Sequence, residues 1–198
     1  MQSIILASQS PRRKMLLEWA QVPFEVIVSD TDESFPYTMP IKDVPVFIAS
    51  NKAKAVKQII ETNFPQHASK KIVAADTVVV LENSILGKPA DKAAAMTSLL
   101  SLSGKTHQVI TGVVVLIDGQ EHSFSETTLV TFNHLGLDQI EYYVDNYQPY
   151  DKAGGYAIQE WIGVVGIQSI QGDFYNVMGL PVSKLLQKIK QLEKKELL

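Results

Sequence analysis

The segment Ile72–Leu81 constrains the fold of this chain more than any other, because it is apolar throughout except for Asp76 and Thr77 at its centre. A continuous apolar run of this length predicts a strand that is covered on both faces. On either side of it, β-rich runs alternate with segments of helical pattern. This alternation predicts an α/β fold in which helices pack on a mixed β-sheet.

The remaining elements are predicted from hydrophobic periodicity and turn signals. Further strands are expected at 3–7, 24–28, 85–86, 109–117 and 124–132, with two short ones after the loop 149–155. Helices are expected at 11–20, 44–61, 90–102 and 137–144, and after Leu180-Pro181. Asp118-Gly119 lies between two β-rich runs and is typical of a tight hairpin. The sequence shows no repeat and no clean linker, so we expect a single domain over 1–198.

Composition excludes several classes of function. The 198 residues include no cysteine, which excludes a disulfide framework, a thiolate nucleophile and a cysteine-ligated zinc site, and suits a reducing compartment. The N-terminal apolar stretch is too short for a signal peptide, and no segment approaches the roughly 18 apolar residues of a membrane span. The formal net charge of −3 argues against stable nucleic-acid binding but allows a local basic pocket for a small anion. We therefore expect a cytoplasmic protein with no membrane association.

The N-terminal motif Ser8-Gln9-Ser10-Pro11-Arg12-Arg13 reads as a polar turn that leads into a helix. Ser10 is a good N-cap, and Pro11 suits the first helical position. Arg12 and Arg13 then occupy the first turn, where a cation is disfavoured by a few tenths to about 1 kcal/mol. An anion at this helix end would explain both arginines, since serine hydroxyls, backbone N–H groups and guanidiniums all bind phosphate. The alternative is two solvated arginines on an ordinary helix.

Lys52 falls on an apolar stripe of the predicted helix 44–61. At about 100° per residue, Lys52 lies on the same face as Ile48 and Ala55. An ammonium group on that face must find an anion or extend along the surface to water. Lys52 is thus either a cation that lines a pocket or a snorkelling side chain at the edge of the stripe.

Asp76 is the strongest candidate for a chemical role. An unpaired buried carboxylate costs several kcal/mol, so Asp76 must meet a cation, a metal or several hydrogen-bond donors, or become protonated. A carboxylate in the middle of a strand is also held rigidly, as a catalytic group should be. It is either a general base or metal ligand, or one half of a structural Asp–Lys pair. Thr77 projects to the opposite side and could cap a backbone group or touch a substrate.

Three weaker candidates are distributed over the loops. Asp30, Asp32 and Glu33 form an acidic cluster that could hold a hard divalent ion, although such loops are often merely solvated. Lys88 lies in the stiff turn Gly87-Lys88-Pro89. Gln159 follows the glycine-bearing loop 149–155, and its amide both donates and accepts, as the O4 and N3–H edge of uracil or thymine requires. An ordinary strand glutamine is the alternative.

Seven short blocks of this sequence resemble, in their order, those of the Maf family of nucleotide pyrophosphatases, and they extend from residue 6 to residue 181. They are Leu6-Ala7-Ser8-Gln9-Ser10-Pro11-Arg12-Arg13, Asn51-Lys52-Ala53, Ala75-Asp76-Thr77-Val78, Leu86-Gly87-Lys88-Pro89, Ser103-Gly104-Lys105-Thr106-His107, Asp151-Lys152-Ala153-Gly154 and Gly179-Leu180-Pro181. Two positions depart from the family pattern. Gln108 stands where an acidic residue is frequent, and Glu160-Trp161 stands where a glycine-led turn is usual.

The resemblance implies an elongated, two-lobed mixed α/β domain of the Maf and inosine-triphosphatase type, often a homodimer. It implies hydrolysis of nucleoside triphosphates to monophosphates and pyrophosphate with a divalent metal, Mg or Mn. The Ile158-Gln159 pair resembles the subgroup that acts on dTTP and UTP, so pyrimidine nucleotides, including modified ones, are the expected substrates. The rival interpretation is a nucleotide-binding regulator of cell division with little or no hydrolysis.

The resemblance also implies a role for each matched residue. Asp76 would be the catalytic base, and it would hold the metal together with Glu33. The triphosphate would be bound by Ser8, Arg13, Lys52 and Lys88. Base preference would depend on Arg12, Thr77 and Gln159.

Overall fold

The computed structural model describes residues 3–195, and their side chains as far as residue 194. Its strands are β1 (Ile4–Leu6), β2 (Phe24–Val26), β3 (Ile72–Leu81), β4 (Ser84–Leu86), β5 (Thr106–Ile117), β6 (Gln120–Phe132) and β7 (Ile167–Gln171). Its helices are α1 (Pro11–Trp19), α2 (Val44–Asn63), α3 (Lys92–Leu102), α4 (Leu137–Tyr147), α5 (Trp161–Gly166), α6 (Phe174–Met178) and α7 (Val182–Lys195). No helix within 3–195 is both long enough and apolar enough to cross a membrane.

The strands form one seven-stranded sheet in the order β2-β1-β3-β5-β6-β7, with β4 paired to β3 outside this path. β1 runs parallel to both β2 and β3, whereas β4 is antiparallel to β3 and β7 is antiparallel to β6. The prediction of a mixed sheet flanked by helices is therefore confirmed. The long strand β3 has the predicted bounds. Its residues are buried on both faces, apart from the half-buried Thr77.

The chain clusters into two compact units. Within the described residues, unit 1 comprises 3–76, 111–126 and 179–195, and unit 2 comprises 77–110 and 127–178. The first two and last three residues of the predicted domain over 1–198 lie outside the described part of the chain.

The core of unit 1 lies between helix α2 and the sheet. The helix contributes Ala49, Ala53, Val56 and Ile60, and the strands contribute Ile5, Ile72, Ala74, Val114 and Leu116. Gly112 allows the start of α2 to approach β5, since a Cβ atom at this position would lie 2.2 Å from the backbone nitrogen of Val46. Lys52 lies within the angular range of the buried positions of α2 and is itself half-buried.

The hairpin predicted at Asp118-Gly119 is confirmed. Asp118 has a φ of 47° and Gly119 a φ of 79°, so both residues of the two-residue turn are left-handed. Positive φ at both central positions is what a tight hairpin with the right-handed strand twist requires, and Asp and Gly tolerate it better than other residues.

The prediction of two short strands after 149–155 is wrong for the first of them. Residues 157–160 form a turn that leads into helix α5, and among the described residues after 155 only β7 is a strand. The run Tyr156-Ala157-Ile158 is buried, and a short buried apolar run does not reveal by itself whether it is extended or turned. Gly163 favours the turn, because a Cβ atom there would lie 1.7 Å from the Ile158 carbonyl oxygen.

Candidate active site

The N-terminal motif forms the predicted turn and helix start. The Ser10 side chain caps α1 by accepting a hydrogen bond from the Arg13 backbone N–H, and Pro11 occupies the first turn. The Ser8 hydroxyl oxygen accepts from the Ser10 N–H at 3.3 Å. The polar turn is therefore fixed by its own two serines.

Arg13 is buried, with only 8% of its surface exposed. Its Nη1 donates to Ser8 Oγ at 3.0 Å, and its Nε donates to the Gly179 carbonyl oxygen at 2.7 Å. Burial lowers the pKa of Arg13; the negative charge of Asp76 opposes this shift, the nearby Arg12 adds to it, and Glu33 opposes it more weakly. These influences show that Arg12, Glu33 and Asp76 all lie near the guanidinium.

Lys52 joins two carboxylates. Its Nζ donates to Asp76 Oδ1 at 2.8 Å and to Glu33 Oε1 at 2.7 Å. The Lys52 and Asp76 side chains are 16% and 13% exposed, whereas Glu33 is 46% exposed on the loop 27–40. Lys52 is therefore a partly buried cation with an anionic partner, and Asp76 is the buried carboxylate that the strand pattern predicted.

The acidic loop does not converge as one cluster. Asp32 accepts hydrogen bonds from the Ser34 backbone N–H at 2.8 Å and from the Ser34 hydroxyl at 2.5 Å, and these bonds lower its pKa. Glu33 instead reaches Lys52. Asp30 is exposed at the start of the loop.

Glu33 and Asp76 are the residues that could hold a divalent metal. No group of three or more His, Cys, Asp or Glu side chains suited to a metal occurs among residues 3–194. Two carboxylates that meet at one ammonium fit Mg²⁺ nevertheless, because this ion is commonly held by one or two carboxylates together with substrate phosphates. The oxygen donor set also suits Mn²⁺.

Three predicted residues belong to unit 2. Thr77 follows Asp76 along β3 and is half-buried. Lys88 is exposed just after β4, in a loop that is attached to the turn Ala153–Gly155 because the Gly154 N–H donates to the Gly87 carbonyl oxygen at 3.0 Å. Gln159 is half-buried, and its Oε1 is buried and accepts no hydrogen bond from any described residue. Such an acceptor is costly unless a ligand or solvent donor reaches it.

The structure thus brings together six of the predicted residues in unit 1: Ser8, Arg12, Arg13, Glu33, Lys52 and Asp76. Thr77, Lys88 and Gln159 are carried by unit 2, and their contribution to a common site stays a prediction. Sequence reasoning missed the Gly179 carbonyl as a partner of Arg13. The matching Gly179-Leu180-Pro181 block was a signal for this position, but it indicated no role for the carbonyl.

A buried aromatic cluster precedes Gln159 in unit 2. His107 Nε2 lies 2.7 Å from the Tyr156 hydroxyl oxygen, and the His107 ring stacks on Phe132 at a centroid distance of 5.5 Å. Burial lowers the pKa of His107 to about 4 and raises the pKa of Tyr156. Both groups are therefore neutral near pH 7.

Known proteins resemble this chain along most of its length. The family model described as Maf-like protein matches residues 3–192. A dTTP/UTP pyrophosphatase from Parabacteroides distasonis is 46% identical over 188 residues, which cover 94% of each chain. A protein of the same name from Bacteroides fragilis is 47% identical over 190 residues, covering 96% of this chain and 95% of its own. The Staphylococcus aureus Ham1 structure covers 70% of this chain and 79% of its own at 15% identity, with a TM-score of 0.45.

Proposed function

This chain belongs to the family of Maf-like proteins, and from that premise we propose that it hydrolyses dTTP and UTP, including modified pyrimidine nucleotides, to monophosphate and pyrophosphate. Relatives that share 46% and 47% of their residues with it over nearly full length are named dTTP/UTP pyrophosphatases. The observation that carries the proposal is the contact of Lys52 with both Asp76 and Glu33 beside the buried Arg13. Carboxylates next to several cations suit a reaction at a phosphate group.

Asp76 is the proposed base. A water molecule oriented or deprotonated by its carboxylate attacks the α-phosphorus. The new P–O bond forms as the bond from the α-phosphorus to the bridging oxygen breaks, and pyrophosphate leaves with that oxygen. Strand β3 holds the carboxylate rigidly, and Lys52 donates a hydrogen bond to it at 2.8 Å.

The cations of the site are assigned to the triphosphate. Four positive charges are supplied by Arg12, Arg13, Lys52 and Lys88. They match the roughly four negative charges of a triphosphate. Ser8 orients Arg13 and can donate its own hydroxyl hydrogen to a phosphate oxygen. A triphosphate also offers Lys52 an anionic partner other than the two carboxylates.

We assign Glu33 and Asp76 to a divalent metal, Mg or Mn. When bound there, the ion would offset the two carboxylate charges and polarise the phosphate under attack. The loop that carries Glu33 makes this carboxylate the more exposed of the two, whereas Asp76 is fixed by the sheet.

Gln159 is the residue proposed to recognise the uracil or thymine base. Its Oε1 can accept the N3–H of uracil or thymine, and its amide N–H can donate to O4. Cytosine presents the opposite pattern on this edge, an acceptor at N3 and a donor at the amino group, so the same amide orientation disfavours it. Arg12 and Thr77 are assigned to base preference through their match to the family motif.

The family match is also our ground for proposing a homodimer, and the absence of cysteine is our ground for proposing a cytoplasmic location. Sedimentation of the purified protein tests the first, and cell fractionation tests the second.

The decisive experiment measures pyrophosphate release from a panel of nucleoside triphosphates, with and without Mg²⁺ or Mn²⁺. The variant Asp76→Asn is compared with wild type and with Asp118→Asn, which makes the same change in the exposed β5–β6 turn. We expect metal-dependent release that favours dTTP and UTP, is lost in Asp76→Asn and is retained in Asp118→Asn. Tight nucleotide binding without any release by the folded wild type would instead identify a nucleotide-binding regulator.

A further inference from the structure

The turn that carries Gln159 is hydrogen-bonded to the hydroxyl group of Tyr143, a residue of helix α4. Tyr143 is fully buried, and its hydroxyl oxygen accepts a hydrogen bond from the Ala157 backbone N–H at 3.1 Å. The same hydroxyl donates to Glu160 Oε2. A phenol has one hydrogen to donate and lone pairs to accept with, so this hydroxyl links the residues on both sides of Gln159.

Glu160 is held by further contacts within unit 2. Its backbone N–H donates to the Ala157 carbonyl oxygen at 3.1 Å, which closes the turn. Its Oε1 lies 3.6 Å from the ammonium of the buried Lys152. The carboxylate is therefore fixed in direction by a cation on one oxygen and a hydroxyl on the other.

The packing beneath the turn leaves little room for adjustment. A Cβ atom at Gly163 would lie 1.7 Å from the Ile158 carbonyl oxygen, so the first turn of α5 rests directly on the residue before Gln159. The position of the Gln159 backbone is thus determined from the α4 side by Tyr143 and from the α5 side by Gly163.

Gln159 itself receives no such support at its side chain. Its Oε1 is buried without a hydrogen bond from any described residue, so the direction of the carboxamide depends on the turn that carries it. Hydrogen-bond discrimination between bases requires an acceptor aimed to within a few tenths of an ångström.

We propose that Tyr143 and Glu160 are positioning residues that aim the Gln159 carboxamide and so set the preference for uracil and thymine over cytosine. The proposal rests on the proposed function, because it concerns the base-reading role of Gln159. In this chain, the Glu160 carboxylate links the turn to the Tyr143 hydroxyl and to the Lys152 ammonium.

The test compares kcat and KM for dTTP and dCTP in four variants. Tyr143→Phe removes only the hydroxyl, Glu160→Ala removes its acceptor, and Glu160→Gln keeps an acceptor of the same shape. Tyr142→Phe is the matched control, since this neighbouring tyrosine is half-exposed and packs on Trp161 through its ring.

We expect the ratio of kcat/KM for dTTP over dCTP to fall about tenfold or more in Tyr143→Phe and Glu160→Ala, mainly through KM for dTTP. Glu160→Gln and Tyr142→Phe should stay within about twofold of wild type. Thermal unfolding of each variant is measured in parallel. If both activities fall together while their ratio is unchanged, Tyr143 and Glu160 are only structural and the proposal is overturned.

Two further outcomes are separable from this one. If Tyr143→Phe does not fold, the two Glu160 variants test the proposal. It requires that Glu160→Ala lose the preference for dTTP over dCTP and that Glu160→Gln keep it. If the folded wild type releases no pyrophosphate, the proposed function fails. In that case, the ratio of dissociation constants for dTTP and dCTP in the same variants still tests the positioning roles.

Discussion

The ammonium nitrogen of Lys52 lies 2.8 Å from Oδ1 of Asp76, so helix α2 and strand β3 are joined at the candidate site by an ion pair with little exposure to solvent. Removing one partner of such a pair leaves the other charge without compensation, which is destabilising. The pair is therefore both a structural contact and the arrangement from which the proposed chemistry starts.

Lys52→Met should raise KM for the triphosphate by about 10- to 100-fold, because one charge-assisted hydrogen bond contributes roughly 1.5–3 kcal/mol. It should also lower the free energy of unfolding by about 1–3 kcal/mol, since Asp76 loses its cation. Lys54→Met is the matched control, because Lys54 lies on the same helix with a 62% exposed side chain that pairs with Glu121. Equal KM values for the two variants would remove Lys52 from the triphosphate site.

The orientation of Arg13 should depend on Ser8. In Ser8→Ala, Nη1 of Arg13 loses its acceptor while the bond from Nε to the Gly179 carbonyl stays. We expect kcat/KM to fall about tenfold, as for the loss of one hydrogen bond to a charged group. Steady-state kinetics measure this, with Ser84→Ala at the exposed start of β4 as the control. An unchanged kcat/KM would mean that the orientation of the guanidinium does not depend on Ser8.

Stability should depend on pH through His107. Its pKa is about 4 in the folded protein against 6.5 for an ordinary histidine, so the unfolded chain binds a proton that the folded chain does not. This contribution is fully present above about pH 6.5 and is lost as the pH falls toward 4, to a total of about 3 kcal/mol. Urea unfolding at pH 7, 5.5 and 4.5 measures the slope. In His107→Gln, which cannot titrate, that part of the slope should disappear, whereas His122→Gln should retain it.

Gly163→Ala should lower the free energy of unfolding by about 1–3 kcal/mol, the usual range for overpacking, because its Cβ would meet the Ile158 carbonyl oxygen at 1.7 Å. Gly87→Ala is the control for stability, since nothing lies within 4 Å of a Cβ atom there. Thermal or urea unfolding of both variants checks the difference. Equal stability would show that the turn before α5 can shift freely.

Much of the fold follows from local patterns. Strand β3 is predicted residue for residue because it is long and apolar on both faces, and the β5–β6 hairpin is predicted because its turn residues tolerate positive φ. The same reasoning identified Asp76 and Lys52, since a charge among apolar neighbours has to be explained. What it left open was whether the two meet, and the Asp–Lys contact answers that question.

The parts that could not be predicted depend on contacts between distant segments. The segment 156–160 has the composition of a strand, but residues 157–160 are turned because Tyr143 binds Ala157 and because Gly163 leaves space for the Ile158 carbonyl. Neither contact has a signal in the local periodicity. The sequence pattern cannot predict the Arg13 contact with Gly179 either, because every residue carries the same backbone carbonyl group.

That last contact has a consequence for how the protein is made. Gly179 follows Arg13 by 166 residues, and a ribosome that adds about 5–20 residues per second needs roughly 10–30 s to cover this interval. Helix α1 spends that time, and the strand that bears Asp76 spends the later part of it, in a nascent chain that does not yet contain the carbonyl bound by the guanidinium. The proposed activity therefore requires a segment that is made late in translation, and a nascent chain stalled before Gly179 should bind nucleotide poorly even when its sheet has begun to form.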